Sequence, residues 1–256
     1  MAILSFSPNL NIGYGGGVTQ TSPDEKPLAA RVRTALESVA EPARAPAMQA
    51  YMKSAMPYLG VATTPRRQAL KVVFAGLDWP DRASWQADVL AIWRNAEFRE
   101  ERYAALELTG VKAARRFQTI DALPLYEEMI VTGAWWDFVD EIAGNRLWGL
   151  LQNDRTATTR TMLAWSTDAD MWKRRSSILC QLHAKTATDL DLLYACIEPS
   201  LVSREFFLRK AIGWALRQYA WTDPDEVARY VAANERRLSG LSKREALKNA
   251  GKRRGK

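Results

Sequence analysis

The chain has 256 residues, 47% of them aliphatic or aromatic, and carries 36 Lys and Arg against 29 Asp and Glu for a formal charge of +7. That length and apolar content are enough for one large folded domain or two small ones and exclude wholesale disorder. No apolar run approaches the roughly 18 residues of a membrane span, Ala2 to Phe6 lacks the length and basic flank of a secretion signal, and two cysteines with a single histidine, His183, leave little material for a metal cage, thiol chemistry or a Ser-His nucleophile, so a cytoplasmic protein that uses neither metal nor thiol chemistry is expected.

Residues 1–27 contain Gly13, Gly15, Gly16 and Gly17 among Asn, Ser and Pro, with little periodicity, and read as a flexible leader. No Gly-Lys-Ser/Thr follows the glycines, so they are not a phosphate loop. From Pro27 the pattern becomes amphipathic and helical, with helices expected near 29–40, 44–58, 65–76, 81–94, 97–110 and 119–131. Thr64 before Pro65 has the form of an N-cap followed by a first-turn proline.

The next expected helix, 134–150, opens with Trp135-Trp136-Asp137-Phe138-Val139-Asp140. At about 100° per residue, Trp135, Phe138 and Ile142 share one face, while Trp136 and Asp140, four apart, share another. A Trp and an Asp stacked on one face offer an aromatic surface for a base or sugar and a fixed negative charge for a developing cation. Packing of Trp136 beside a solvated Asp140 accounts for the same residues.

After helix 155–166, the stretch 170–185 has an apolar stripe of Met171, Trp172, Ile178, Leu179 and Leu182 with Arg175 in its middle. A guanidinium keeps its charge, so that position calls for an anionic partner or an opening to phosphate. Asp140 is the candidate partner; an internal ion pair that only ties helices together is the other reading.

Helices 188–198 and 204–220 follow. In the second, Phe207, Leu208, Ala211 and Ala215 face inward, while Lys210, Trp214 and Arg217 line a flank at i, i+4 and i+7. An indole between two cations suits a nucleic-acid surface, and a Trp packed at a helix flank is the alternative. Gly213 costs about 1 kcal/mol relative to Ala inside a helix, which points to close backbone approach or to placement of the Trp214 indole. Helices 224–236 and 242–250 close the domain, the first capped by Asp223 before Pro224 with Glu226 at the third position, the second read as a Ser242/Glu245 capping box. Residues 251–256 form a basic tail with four of the positive charges, so the rest of the chain stands at +3.

About a dozen short-linked helices, paired every 35 to 40 residues, suggest an all-α fold in which antiparallel helix pairs stack as an α-solenoid of the HEAT type over 28–250; a compact bundle is the alternative. A solenoid has a concave face on which duplex DNA can lie.

Tyr51-Met52-Lys53, Thr64-Pro65-Arg66-Arg67, the Trp135–Asp140 run, Glu205-Phe206-Phe207 through Ala211-Ile212-Gly213-Trp214, and Ser242-Lys243-Arg244-Glu245 together resemble the AlkD family of DNA alkylation repair glycosylases, over residues 45–250. The resemblance implies HEAT-like repeats wrapped on duplex DNA through a concave basic surface, and excision of cationic N-alkylated purines, of the 3-methyladenine and 7-methylguanine types, by a monomer without metal or cofactor. It implies Asp140 as the catalytic carboxylate, Trp136 and Trp214 as cleft aromatics, Arg175 as the cleft arginine and Tyr51 as an aromatic near the lesion. Lys210, Arg217, Lys243 and Arg244 are the candidate contacts to the DNA backbone. The leader is longer than that family requires, and Ser176-Ser177 stand where small apolar residues are usual. A non-catalytic helical-repeat module that binds damaged or branched DNA, and a protein-binding solenoid, are the other functional readings.

Overall fold

The computed structural model describes residues 26–249, so the expectations for the leader, apart from its last two residues, and for the basic tail lie outside the described residues. Fourteen α-helices follow one another there: α1 (Leu28–Glu37), α2 (Ala45–Met52), α3 (Thr63–Val73), α4 (Arg82–Arg94), α5 (Arg99–Thr109), α6 (Leu123–Gly133), α7 (Trp136–Glu141), α8 (Trp148–Asn153), α9 (Arg155–Ser166), α10 (Met171–Leu179), α11 (Leu190–Ile197), α12 (Phe206–Tyr219), α13 (Pro224–Ala233) and α14 (Gly240–Ala246). No strand occurs among the described residues. Helices pack on near neighbours in sequence, α1 on α3, α4 on α5, α9 on α10, α10 on α12 and α12 on α14, which is the α-solenoid of helix pairs expected.

Aspartates start many of these helices. Asp81, Asp154, Asp170, Asp189 and Asp223 each accept a backbone N–H from the first turn that follows, which removes orphan donors and places negative charge at the helix N-terminus. The Asp223 cap is the one expected, on Glu226 N at 3.0 Å. The other two caps are displaced. Helix α3 begins at Thr63, with Ala62 at the cap and no side-chain bond, so Thr64 is already helical. Helix α14 is capped by Ser239, which accepts from Ser242 N at 3.0 Å, so Ser242 is the third helical residue; it is buried and its hydroxyl donates to the Arg209 carbonyl at 2.9 Å.

Three expected helices are interrupted, of which 170–185 is α-helical only over Met171–Leu179. The stretch 44–58 is helical only to Met52, because Lys53 turns left-handed at φ 50° and the peptide ahead of Pro57 disfavours the helical region. The chain then runs irregularly across the start of α5, where the buried Glu100 carboxylate accepts the backbone N–H groups of Leu59, Gly60 and Val61 at 3.1, 2.9 and 3.0 Å. Gly60 is required there: its φ is 85°, and a Cβ would come within 2.1 Å of the Glu41 carbonyl oxygen. The stretch 134–150 is helical throughout after Trp135, but as three pieces: α7, a π-helical turn over Ile142–Leu147, and α8. Such wide turns recur beside functional sites.

The core runs along the helix pairs. Trp85 stacks on Phe117 with ring centres 5.7 Å apart, and Trp93 meets Phe138 edge-on at 5.2 Å. Trp79, Trp85, Trp93, Trp165 and Trp172 are buried, whereas Trp135, Trp136, Trp148, Trp214 and Trp221 are half-buried. Only the second group has ring surface left to offer a ligand.

Gly213 is explained by close approach. A Cβ on it would lie 2.5 Å from Glu245 Cβ and 2.9 Å from the Ser242 carbonyl oxygen, so its lack of a side chain lets α14 lie against α12. Gly213→Ala is therefore expected to lower Tm by roughly 3–10 °C, because overpacking outweighs the gain in helix propensity. Thermal unfolding followed by circular dichroism checks this, and a higher Tm for the alanine variant would refute the close approach.

Candidate active site

Helix α7 is too short to hold itself. Ala134 turns left-handed at φ 42°, Trp135 is extended at φ −150° without a side-chain cap, and only six residues follow before the π-helical turn. An isolated helix of that length does not form in water, so its position is imposed by what grips it. Phe138 and Val139 enter the core, while Trp136, Asp137 and Asp140 stay half-buried. Trp135 packs its indole against Phe207 and Trp172, with ring centres 5.4 and 6.1 Å away.

Asp140 is bound two-fold by Arg175 of α10. Arg175 Nε donates to Asp140 Oδ1 at 2.7 Å and Nη2 to Oδ2 at 2.8 Å, while Nη1 donates to the Phe207 carbonyl of α12 at 2.5 Å. The side chains of Arg175 and Asp140 are only 5% and 12% exposed. The arginine in the apolar stripe thus has the partner expected of it. Burial pushes the Asp140 carboxyl above the usual carboxylate range, against the hydrogen bonds and charge of Arg175, and the nearby Asp137 adds to the rise. Arg175 still gives Asp140 the geometry of a carboxylate, since both oxygens accept.

A second pair on the same helix was not foreseen. Arg99 of α5 donates through Nη2 to Asp137 Oδ1 at 2.6 Å and through Nε to Oδ2 at 3.3 Å, and the Tyr103 hydroxyl donates to Oδ2 at 2.6 Å. Tyr103 and Tyr58 meet hydroxyl to hydroxyl at 3.1 Å, and Arg99 Nη1 reaches Ser54 Oγ at 3.2 Å. The sequence did carry a signal. Asp137 is the second carboxylate of the Trp-Trp-Asp run, and Arg99-Glu100-Glu101 puts three successive charges at a helix start, all buried in the fold. Glu101 completes that start by taking Arg33 of α1 on both oxygens, at 2.7 and 2.8 Å.

The remaining candidates are dispersed over neighbouring helices. Trp136 and Trp214 pack against the core with part of each ring exposed. Tyr51, in the last turn of α2, is 78% exposed and stands at the rim of a recess of about 240 Å³ lined by Met48, Tyr58, Arg66 and Tyr103. Lys210 and Arg217 do not stand free on either side of Trp214: both turn to Glu245 of α14, at 3.2 and 2.5 Å. Lys243 donates to the Glu235 carbonyl at 3.3 Å, and Arg244 is exposed. Of the four candidate backbone contacts, Lys210 and Arg217 therefore also serve the packing of α12 on α14.

A family model described as DNA alkylation repair enzyme matches residues 32–250. Among solved structures, the chain is similar to one titled "Predicted DNA alkylation repair enzyme from Enterococcus faecalis", at 28% identity and a TM-score of 0.70, with 83% of this chain and 97% of that one covered. No curated protein matches the sequence.

Removing the cation from the Asp140 pair should leave a buried carboxylate uncompensated, so Arg175→Gln is expected to lose about 3–5 kcal/mol of stability at neutral pH. The folded-state pKa of Asp140 would rise further above its unfolded value, near about 3.9, and the folded form would hold a proton that the unfolded chain has released. Stability of the variant then falls as pH rises through that window, so the deficit is smaller in acid than at neutrality. Urea denaturation of both proteins at about pH 5 and pH 8 measures it, and a deficit independent of pH counts against the pairing.

Proposed function

The chain belongs to the family of DNA alkylation repair enzymes, and from that we propose that it is a monofunctional glycosylase, which hydrolyses the N-glycosidic bond of cationic N-alkylated purines in duplex DNA. The observation that carries the proposal is Asp140, a half-buried carboxyl whose two oxygens both accept from Arg175, on a short helix that also presents Trp136.

The chemistry suits a single acid. Ordinary glycoside hydrolysis uses two carboxylates, one of them to protonate the leaving group. A purine alkylated at N3 or N7 is already cationic and leaves neutral when the C1′–N bond breaks with its electron pair, so no proton donor is needed. Positive charge then grows on the deoxyribose, water adds to C1′, and a proton is released. Asp140 supplies the fixed negative charge that lowers the energy of this oxocarbenium-like state and a point on which to orient the water. Each of its oxygens spends one lone pair on Arg175 and keeps another, so the grip does not exhaust the acceptor. Trp136 and Trp214 offer faces to the sugar and its flanks, Tyr51 an exposed ring near the lesion, and exposed basic side chains such as Arg244 bind phosphate. The intrinsic lability of the cationic base supplies much of the selectivity.

Methylated duplex DNA incubated with the purified protein should release 3-methyladenine and 7-methylguanine, and Asp140→Asn should keep DNA affinity within a few-fold while release falls by about 10²–10³. Release unchanged in Asp140→Asn would falsify the assignment. Retention of duplex DNA with a steep salt dependence and no freed purine from the wild-type chain is the result expected of a non-catalytic DNA-binding module instead.

A further inference from the structure

We propose that Arg99 is a positioning residue for this reaction: by holding Asp137 on one side and Ser54 on the other, it sets the Tyr51-bearing and Asp140-bearing sides of the site relative to one another. The inference rests on the glycosylase reading of Asp140 and adds a residue that does not touch the reacting atoms.

The geometry is that of a tie bar. Asp137 and Asp140 are three residues apart on a helix with no stability of its own, and each is gripped by an arginine from a different helix, Arg99 from α5 and Arg175 from α10. The two grips oppose rolling and sliding of α7, on which Trp136 and Asp140 stand. The Arg99 guanidinium also lies over the Phe138 ring at 4.1 Å, between the two acids in sequence. Its third nitrogen donates to Ser54, whose hydroxyl in turn donates to the Met56 carbonyl, and its backbone N–H donates to the Pro57 carbonyl at 2.9 Å. These contacts fasten the chain that leaves α2 just after Tyr51. Tyr103 braces Asp137 from the same helix as Arg99, and with Tyr58 it lines the recess that Tyr51 overhangs.

The charged and titratable groups around the two acids are Arg99, Tyr103 and Tyr58 beside Asp137, Arg175 beside Asp140, and the two acids themselves. Asp137 already raises the Asp140 carboxyl, so an Asp137 stripped of its arginine raises it further.

The test uses the full chain on a duplex containing 7-methylguanine, with single-turnover release at saturating protein, DNA Kd, the pH profile of release and Tm all measured. Arg99→Gln is expected to slow release by about ten- to hundred-fold with Kd changed less than about three-fold, because small misplacement of a catalytic group has costs of that order. The acid limb of its pH profile should move to higher pH; adding Asp137→Asn should return the limb without returning the rate, and Arg99→Lys, which keeps the charge, should leave the limb near that of wild type. Tyr103→Phe removes one hydrogen bond to Asp137 and should slow release about three- to ten-fold; it carries the test if Arg99→Gln does not fold. Wild-type release in folded Arg99→Gln and in Tyr103→Phe, or a loss seen only in Kd, overturns the positioning role. In that event, Asp140→Asn that has lost release leaves the glycosylase reading standing, and Asp140→Asn that has kept it removes both.

Discussion

The structure depends on keeping a carboxylate charged where water has largely been removed. Taking an ion out of water costs several kcal/mol, and a lone buried Asp answers by taking up a proton. At Asp140 that outcome is opposed by a guanidinium whose planar fork matches both oxygens and whose own charge persists at any pH of interest. Arg175 is itself buried, so it too needs the bargain, and it adds the Phe207 carbonyl to satisfy a third nitrogen. Three helices, α7, α10 and α12, thereby meet at one charged knot.

This knot explains why the site can stand on a fragment of helix. Helix α7 is entered through a left-handed residue and an extended one, and is left through a π-helical turn, none of which lends it rigidity. It is fixed by the burial of Phe138 and Val139 in the core and by two salt bridges, to α5 and α10, placed one turn apart. Polar groups buried this way stabilise less than apolar packing of equal volume, but they are directional, and direction is what a site must have. The start of α5 shows the same use of charge: Arg99, Glu100 and Glu101 each reach a different segment, the Asp137 carboxylate, the backbone of residues 59–61 and Arg33 of α1.

The same arrangement joins family membership to chemistry. Membership in the DNA alkylation repair family points to damaged DNA, and on the proposed glycosylase reading the Arg175-held Asp140, with Trp136 one turn away on the same helix, suits a leaving group that arrives already positive. An enzyme that had to protonate its leaving group would call for a second acid of raised pKa close by. Asp137 is engaged in holding the helix, both of its oxygens accepting from Arg99 or Tyr103.

Much was legible in the order of residues alone. Periodicity marked the helices, Asp223 marked its cap, the misfit of Arg175 in an apolar stripe called for an anion with Asp140 as the candidate, and Gly213 pointed to close approach or to placement of the Trp214 indole, because each of these is a local departure from what a helix would otherwise choose. The remainder depended on partners far apart in sequence. Pro57 is a local sign that the helix cannot run to 58, but nothing local fixes its end at Met52 or the path that follows, where Glu100 claims the backbone N–H groups of residues 59–61 from some forty residues later. Lys210 and Arg217 read as free cations until α14 brings Glu245 between them, and Asp137 has no assigned partner until α5 delivers Arg99. The amino-acid order by itself determined which stretches coil and which side chains fit badly on them; only the tertiary structure decided which charges meet, because an ion pair is formed by distance in space and leaves no period in the chain.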